Sequence, residues 1–167
     1  MKSILRLTAA GVALAALGVS SNAMAATATA PATATILQPL AVTLDATNNK
    51  LDFGTIALNG VPGGTVALTT ANVRTCSGTL TCVGTTMVPN FDITGSASVP
   101  VSITVPASIT LTSGANSMTA TLTSSSAGLT LSGTGTGTFD VGGTLTVGAS
   151  QAAGVYTTNM TVTVVYS

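Results

Sequence analysis

The chain has 167 residues with four basic residues, four aspartates, no glutamate, no histidine and no tryptophan. That inventory lacks the basic stripe needed for nucleic acid or anionic lipid. It also leaves general acid–base chemistry to a handful of Asp, Lys and Arg side chains, which argues against an enzyme.

The first twenty-five residues read as an export signal. Lys2 and Arg6 open it, Leu7–Val19 is an apolar run, and Ala23-Met24-Ala25 supplies a small-x-small cleavage pattern. The run is shorter than the roughly 20 residues of a membrane span, so no integral membrane segment is expected. The mature chain is then 26–167, with Lys50 and Arg74 against four aspartates and a net charge of −2. It is long enough for one domain with a real core.

Residues 26–35 (ATATAPATAT) alternate Ala with Thr around Pro31. They carry too little apolar surface to order alone and read as a flexible extension before a domain spanning 36–167. Extended, the segment reaches roughly 33 Å, and Ala28, Ala30, Ala32, Ala34 and Ile36 then face one way.

From Leu40 onward, short runs with period-2 alternation recur between Gly, Asn and Pro breaks. They are Leu40–Leu44, Thr65–Leu68, Phe91–Thr94, Val101–Val105, Ile109–Thr112, Met118–Leu122, Leu129–Leu131, Thr144–Val147 and Tyr156–Tyr166. Thr and Val favour strands because their branched Cβ packs well on a pleated surface. The fold class predicted is all-β: an Ig-like antiparallel β-sandwich with Greek-key links, either complete or lacking a final strand. Asn59-Gly60, Gly63-Gly64 and Gly142-Gly143 are read as turns, and Ser132–Gly137 as a loop or weak edge strand.

Three features invite chemistry. Asp45–Asp52 offers oxygen ligands for calcium, but it lacks dense acidic spacing and contains Lys50, so it reads as a turn. Cys76 and Cys82, in an oxidising compartment, read as a structural disulfide closing a short loop. A metal site would need further Cys or His ligands, and a redox pair is more often CxxC. Paired carboxylates have no recommending spacing, and Ser nucleophiles have no base. No metal and no cofactor are expected. Phe53, Phe91, Phe139, Tyr156 and Tyr166 are too few for a stacking platform and read as core. Arg74 reads as a solvated side chain.

The chain ends on GVYTTNMTVTVVYS, in which Met160, Val162, Val164 and Tyr166 form an apolar face. Counting from the end, Gly154 is fourteenth and Tyr166 second. This pattern resembles the C-terminal strand of chaperone–usher pilus subunits. Leu51-Asp52-Phe53-Gly54, Phe91-Asp92-Ile93-Thr94-Gly95 and Val141-Gly142-Gly143-Thr144-Leu145 extend the likeness. Together they resemble secreted bacterial Ig-like domains related to fimbrial and spore-coat-type subunits.

The resemblance implies a sandwich whose final strand comes from another subunit. It implies an assembly groove at Gly154, Met160, Val162, Val164 and Tyr166. The donor strand would carry Ala28, Ala30, Ala32, Ala34 and Ile36. The implied partners are copies of the chain or related subunits, a periplasmic chaperone and an outer-membrane usher, with a final location on the cell surface or in an extracellular fibre. The tail has none of the bulky side chains that fill such grooves, so either the groove is shallow or the tail is a tether to a complete sandwich. The alternative function is a monomeric secreted Ig-like surface-binding module, an adhesin or carbohydrate-binding domain.

Overall fold

The computed structural model describes residues 25–60 and 62–167. The expected export signal, apart from Ala25, lies outside the described residues. Residues up to Thr35 and residues Ile36–Ser167 are separate units. In the first, the described residues Ala25–Thr35 are exposed and have no regular structure. Among the described residues no helix is long and apolar enough to cross a membrane.

The second unit is an all-β antiparallel sandwich. Its strands are β1 (Ala41–Leu44), β2 (Thr55–Leu58), β3 (Gly64–Leu68), β4 (Arg74–Cys76), β5 (Leu80–Val83) and β6 (Asn90–Thr94). They continue with β7 (Pro100–Thr104), β8 (Ser108–Ser113), β9 (Asn116–Ser124), β10 (Gly128–Thr130), β11 (Thr136–Val147) and β12 (Thr163–Tyr166).

β11 organises the molecule. Its inward residues Phe139, Val141, Leu145 and Val147 are buried, while Thr136, Thr138 and Thr146 are exposed. That is the period-2 pattern of a strand with one wet face. The N-terminal half pairs with β6, and the C-terminal half lies between β3 and β9. Adding β1 beside β6, β4 beside β3 and β8 beside β9 completes a curled seven-stranded sheet. β3–β4 and β8–β9 are consecutive in the chain, whereas β1–β6, β6–β11, β3–β11 and β9–β11 join strands that are not.

Two separate pieces cover the inner face of that sheet. The three-stranded sheet β10–β7–β12 covers the half containing Phe91, Ile93, Phe139 and Val141. A two-stranded ribbon, β2–β5, covers the half containing Val66, Leu68, Leu145 and Val147. The opposing layer is therefore interrupted, and this interruption positions the site.

Several sequence expectations need correction. Gly142-Gly143 is no turn but the middle of β11. A Cβ at Gly142 would strike the Leu68 carbonyl, and one at Gly143 would lie 2.6 Å from the Thr121 carbonyl. Both glycines allow close backbone approach rather than a reversal. Thr136 and Gly137, read as part of a loop or weak edge strand, begin β11, which pairs with β6 on one side there. The terminal run Tyr156–Tyr166 is a strand only over Thr163–Tyr166, because its partner β7 ends at Thr104, just short of Pro106. Strands β2, β4 and β5 went unread. Gly60 and Gly63 do adopt positive φ, at 118° and 90°.

The start of the sandwich is latched to its end. Tyr166 Oη accepts a hydrogen bond from Ser96 N (2.7 Å) and donates one to the Gln38 carbonyl (2.9 Å). Gln38 N in turn donates to Ser96 Oγ at 2.6 Å. Gly95 leaves the space this needs, since a Cβ there would strike the Tyr166 hydroxyl. Tyr166→Phe strands the half-buried Ser96 N–H and should cost about 1–3 kcal/mol, read as a lower midpoint in urea unfolding with an unchanged slope.

Candidate functional site: an open apolar cleft beside β2

The ribbon β2–β5 is held at one side only. Cys82 on β5 is disulfide-bonded to Cys76 on β4, which joins the ribbon to the large sheet. The expected pairing is present and closes the short loop between the two cysteines, and because Cys76 is on β4 and Cys82 on β5 it also joins two sheets. Closing so short a loop stabilises by roughly 2 kcal/mol in the chain-entropy model. Arg74, expected to be solvated, reinforces the same side. Its Nη1 donates to the Phe53 carbonyl (3.2 Å) and the Val83 carbonyl (3.0 Å). Gly54, at φ 78°, makes room, because a Cβ there would collide with the guanidinium.

The other side of the ribbon faces a cleft of about 720 Å³. Leu111 of β8, Met118 of β9 and Leu145 and Val147 of β11 form its floor. Gln151–Tyr156 forms the far wall. That wall is tied by hydrogen bonds: Gln151 Nε2 donates to Tyr156 Oη at 2.7 Å and to the Ser117 carbonyl at 3.2 Å. Tyr156 Oη donates to the Ala152 carbonyl at 2.8 Å. Thr157 also bridges to Thr112 of β8. A second cleft of about 440 Å³ shares Leu51, Asp52, Phe53, Leu111, Val155 and Tyr156 with the first. It extends the opening toward Leu44 and Met160.

The near wall is a strand edge. Every residue from Leu51 to Leu58 lines the larger cleft, both the half-buried Ile56 and Leu58 and the exposed Thr55 and Ala57. A strand's two faces alternate, so a space touching successive residues touches the edge between them. Register fixes which backbone groups lie there. Asn59 N donates to the Thr79 carbonyl, and Ala57 and Thr55 follow in the same bonding class opposite Thr81 and Val83. Ile56 and Leu58 therefore turn their N–H and C=O away from β5, toward the cleft. Among the described residues no hydrogen bond reaches those groups.

The charges near the opening are a local pair. Lys50 Nζ is 2.8 Å from Asp52 Oδ2. That contact holds the Asp52 carboxyl below its ordinary value, with Gly54 N assisting and partial burial opposing. Asp45 is also lowered, by Asn48 N and Thr47 N, both donating to Oδ1 at 2.6 and 2.9 Å. These bonds make 45–48 an Asx turn, and among the described residues no cluster of acidic, Cys or His groups could hold a metal.

The expected assembly residues are divided between two places. Gly154 lines the larger cleft and Met160 the smaller. Gly154 is needed for close approach, since a Cβ would lie 2.5 Å from Ser113 Oγ. Met160 also packs, with Val162, Val164 and Tyr166, half-buried against the core cluster of Phe91, Ile93 and Phe139. Among the described residues β12 is paired on one edge only, with β7. In the tail, Ala28, Ala30, Ala32 and Ala34 are exposed, and Ile36 at the head of the domain is 94% exposed.

Sequence reasoning missed Ile56, Leu58, Gln151 and Arg74. Thr55-Ile56-Ala57-Leu58 does alternate between Gly54 and Asn59-Gly60, a signal sufficient to mark β2. No curated protein matches the chain, and no solved structure matches it. Residues 40–166, the whole sandwich from just before β1 to the end of β12, match the family described as "Domain of unknown function (DUF4402)", and the chain belongs to that family.

Proposed function

We propose that the protein is a structural subunit of a fimbria or surface fibre, exported through the periplasm and polymerised by donor-strand exchange. One observation carries this reading: an apolar cleft stands open beside an unpaired strand edge, in a chain whose described N-terminal residues 25–35 are exposed and without regular structure. An edge of this kind is completed by adding a strand, with backbone hydrogen bonds giving affinity and alternate side chains giving specificity. A periplasmic chaperone would cover the edge before assembly, and an outer-membrane usher would release the product outward.

Electrophoresis in SDS of material sheared from the cell surface tests the reading. A ladder of multimers that survives at room temperature and collapses on boiling is the expected result. A lone monomer band overturns it and favours the monomeric surface-binding module. For that module the polar groups of Asp52, Gln151 and Tyr156 around the cleft would supply ligand contacts.

A further inference from the structure

Resting on the assembly reading, we infer that the acceptor edge is β2, not the C-terminal strand β12, and that its occupant is residues 28–34 of a second copy of this chain. Three observations identify the occupant.

The first is depth. The cleft floor already carries Leu111, Met118, Leu145 and Val147, so an added strand would lie on large side chains. A segment with only methyl groups on its inner face suits such a floor, and Ala28, Ala30, Ala32 and Ala34 provide that face. The segment from Ala25 to Leu44 has no charged side chain, and Lys50 and Asp52 at the opening neutralise each other.

The second is parity. In a strand, residues that share a face also point their backbone groups toward the same edge. Ile56 and Leu58 face the core and present N–H and C=O to the cleft. An antiparallel strand with Ala30 opposite Leu58 and Ala32 opposite Ile56 meets both conditions, with alanines inward and hydrogen-bonded. Pro31, the one residue without an N–H, then falls opposite Ala57, in the class pointing away from β2. A proline in the other class would remove a ladder bond.

The third is direction. The domain begins at the Tyr166 end of the sandwich, where Gln38 is latched. The larger cleft lies over Leu145 and Val147, at the opposite end of β11 from the Thr136–Thr94 pair, and the smaller cleft adjoining it reaches Leu44 at the other end of β1. A segment leaving one end while the acceptor opens at the other gives a head-to-tail contact, which does not close on itself and builds a filament.

Cysteine cross-linking tests the register, with the native Cys76–Cys82 bond left intact. Pro31 and Ala57 would be a directly opposed, non-hydrogen-bonded pair, about 4.5 Å apart at Cα, within reach of a disulfide. Co-assembling a Pro31→Cys chain with an Ala57→Cys chain should give a reducible dimer on non-reducing gels. Co-assembly of Pro31→Cys with Val165→Cys, exposed on β12, should give little or none. Cross-linking to position 165 instead leaves subunit assembly standing but overturns the β2 assignment. Cross-linking to neither position while the heat-labile ladder persists overturns it too. A Pro31→Cys/Ala57→Cys double variant that closes within one chain and stays monomeric overturns the second copy as occupant. Absence of both cross-link and ladder removes the assembly reading itself.

Discussion

Phe139→Ala is expected to destabilise the sandwich by about 3–5 kcal/mol, the usual range for truncating a buried aromatic. Phe139 is 1% exposed and stands directly opposite Phe91 across the β6–β11 pair. The rings stack with centroids 5.0 Å apart. The cavity left by truncation cannot readily collapse. β11 is held by β6 at this level and by β3 and β9 one turn of the pleat further on. The loss also removes an aromatic pair worth about 0.5–1.5 kcal/mol beyond burial. Against a total stability of about 5–15 kcal/mol typical of such domains, this is roughly a fifth or more. Urea unfolding of the monomer should show a large fall in midpoint, with Phe139→Leu recovering most of it. A change under about 1 kcal/mol would mean that the Phe139 ring is not buried in the core against Phe91.

The sequence made the central strands legible because their burial is local information. In β6, Phe91 and Ile93 alternate with Asp92 and Thr94, and in β7, Val101 and Ile103 alternate with Ser102 and Thr104, matching the observed burial. The peripheral strands were less visible for a physical reason. β4 has three residues, Arg74–Cys76, and besides its short ladder with β3 it holds its place through a disulfide to β5 and guanidinium contacts with the Phe53 and Val83 carbonyls. Nothing in a three-residue window records such bonds.

The opposite error arose at Gly142-Gly143 and at Tyr156–Val162. A glycine pair in a sequence signals either freedom of φ or tight approach, and only the neighbouring carbonyls of Leu68 and Thr121 decide between them. Alternation in Tyr156–Val162 signals a strand, but a strand also needs a partner: β7 ends at Thr104, just short of Pro106, and β8 offers a single bridge, at Thr157. The cleft was illegible for a related reason. Its walls, 51–58 and 151–156, are far apart in the chain and meet only through the floor strands. The terminal pattern therefore pointed to an open edge, while the larger opening lies beside β2.

Deleting residues 26–35 is expected to abolish polymer while leaving a monomer whose stability is unchanged within about 0.5 kcal/mol, the range for residues without buried contacts. The described tail is exposed throughout and makes no hydrogen bond, and the latch that ties down the chain begins at Gln38. Truncation before Ile36 leaves that latch whole. The tail's contribution to assembly is a different matter. At about 25 cal/mol per Å², four alanine methyls bury little, so the main gains are covering the cleft's apolar floor and forming ladder bonds of about 0.5–1.5 kcal/mol each. Both gains depend on which face of the tail meets the cleft. Ala30→Asp with Ala32→Asp places two carboxylates on the apolar floor and should suppress polymer as fully as the deletion does. Thr29→Asp with Thr33→Asp adds the same charge on the outer face and should leave the heat-labile ladder in place. Equal loss in both variants would show that tail charge alone, not an inward alanine face, governs assembly. Fibres that persist after the deletion would remove the tail from the mechanism altogether.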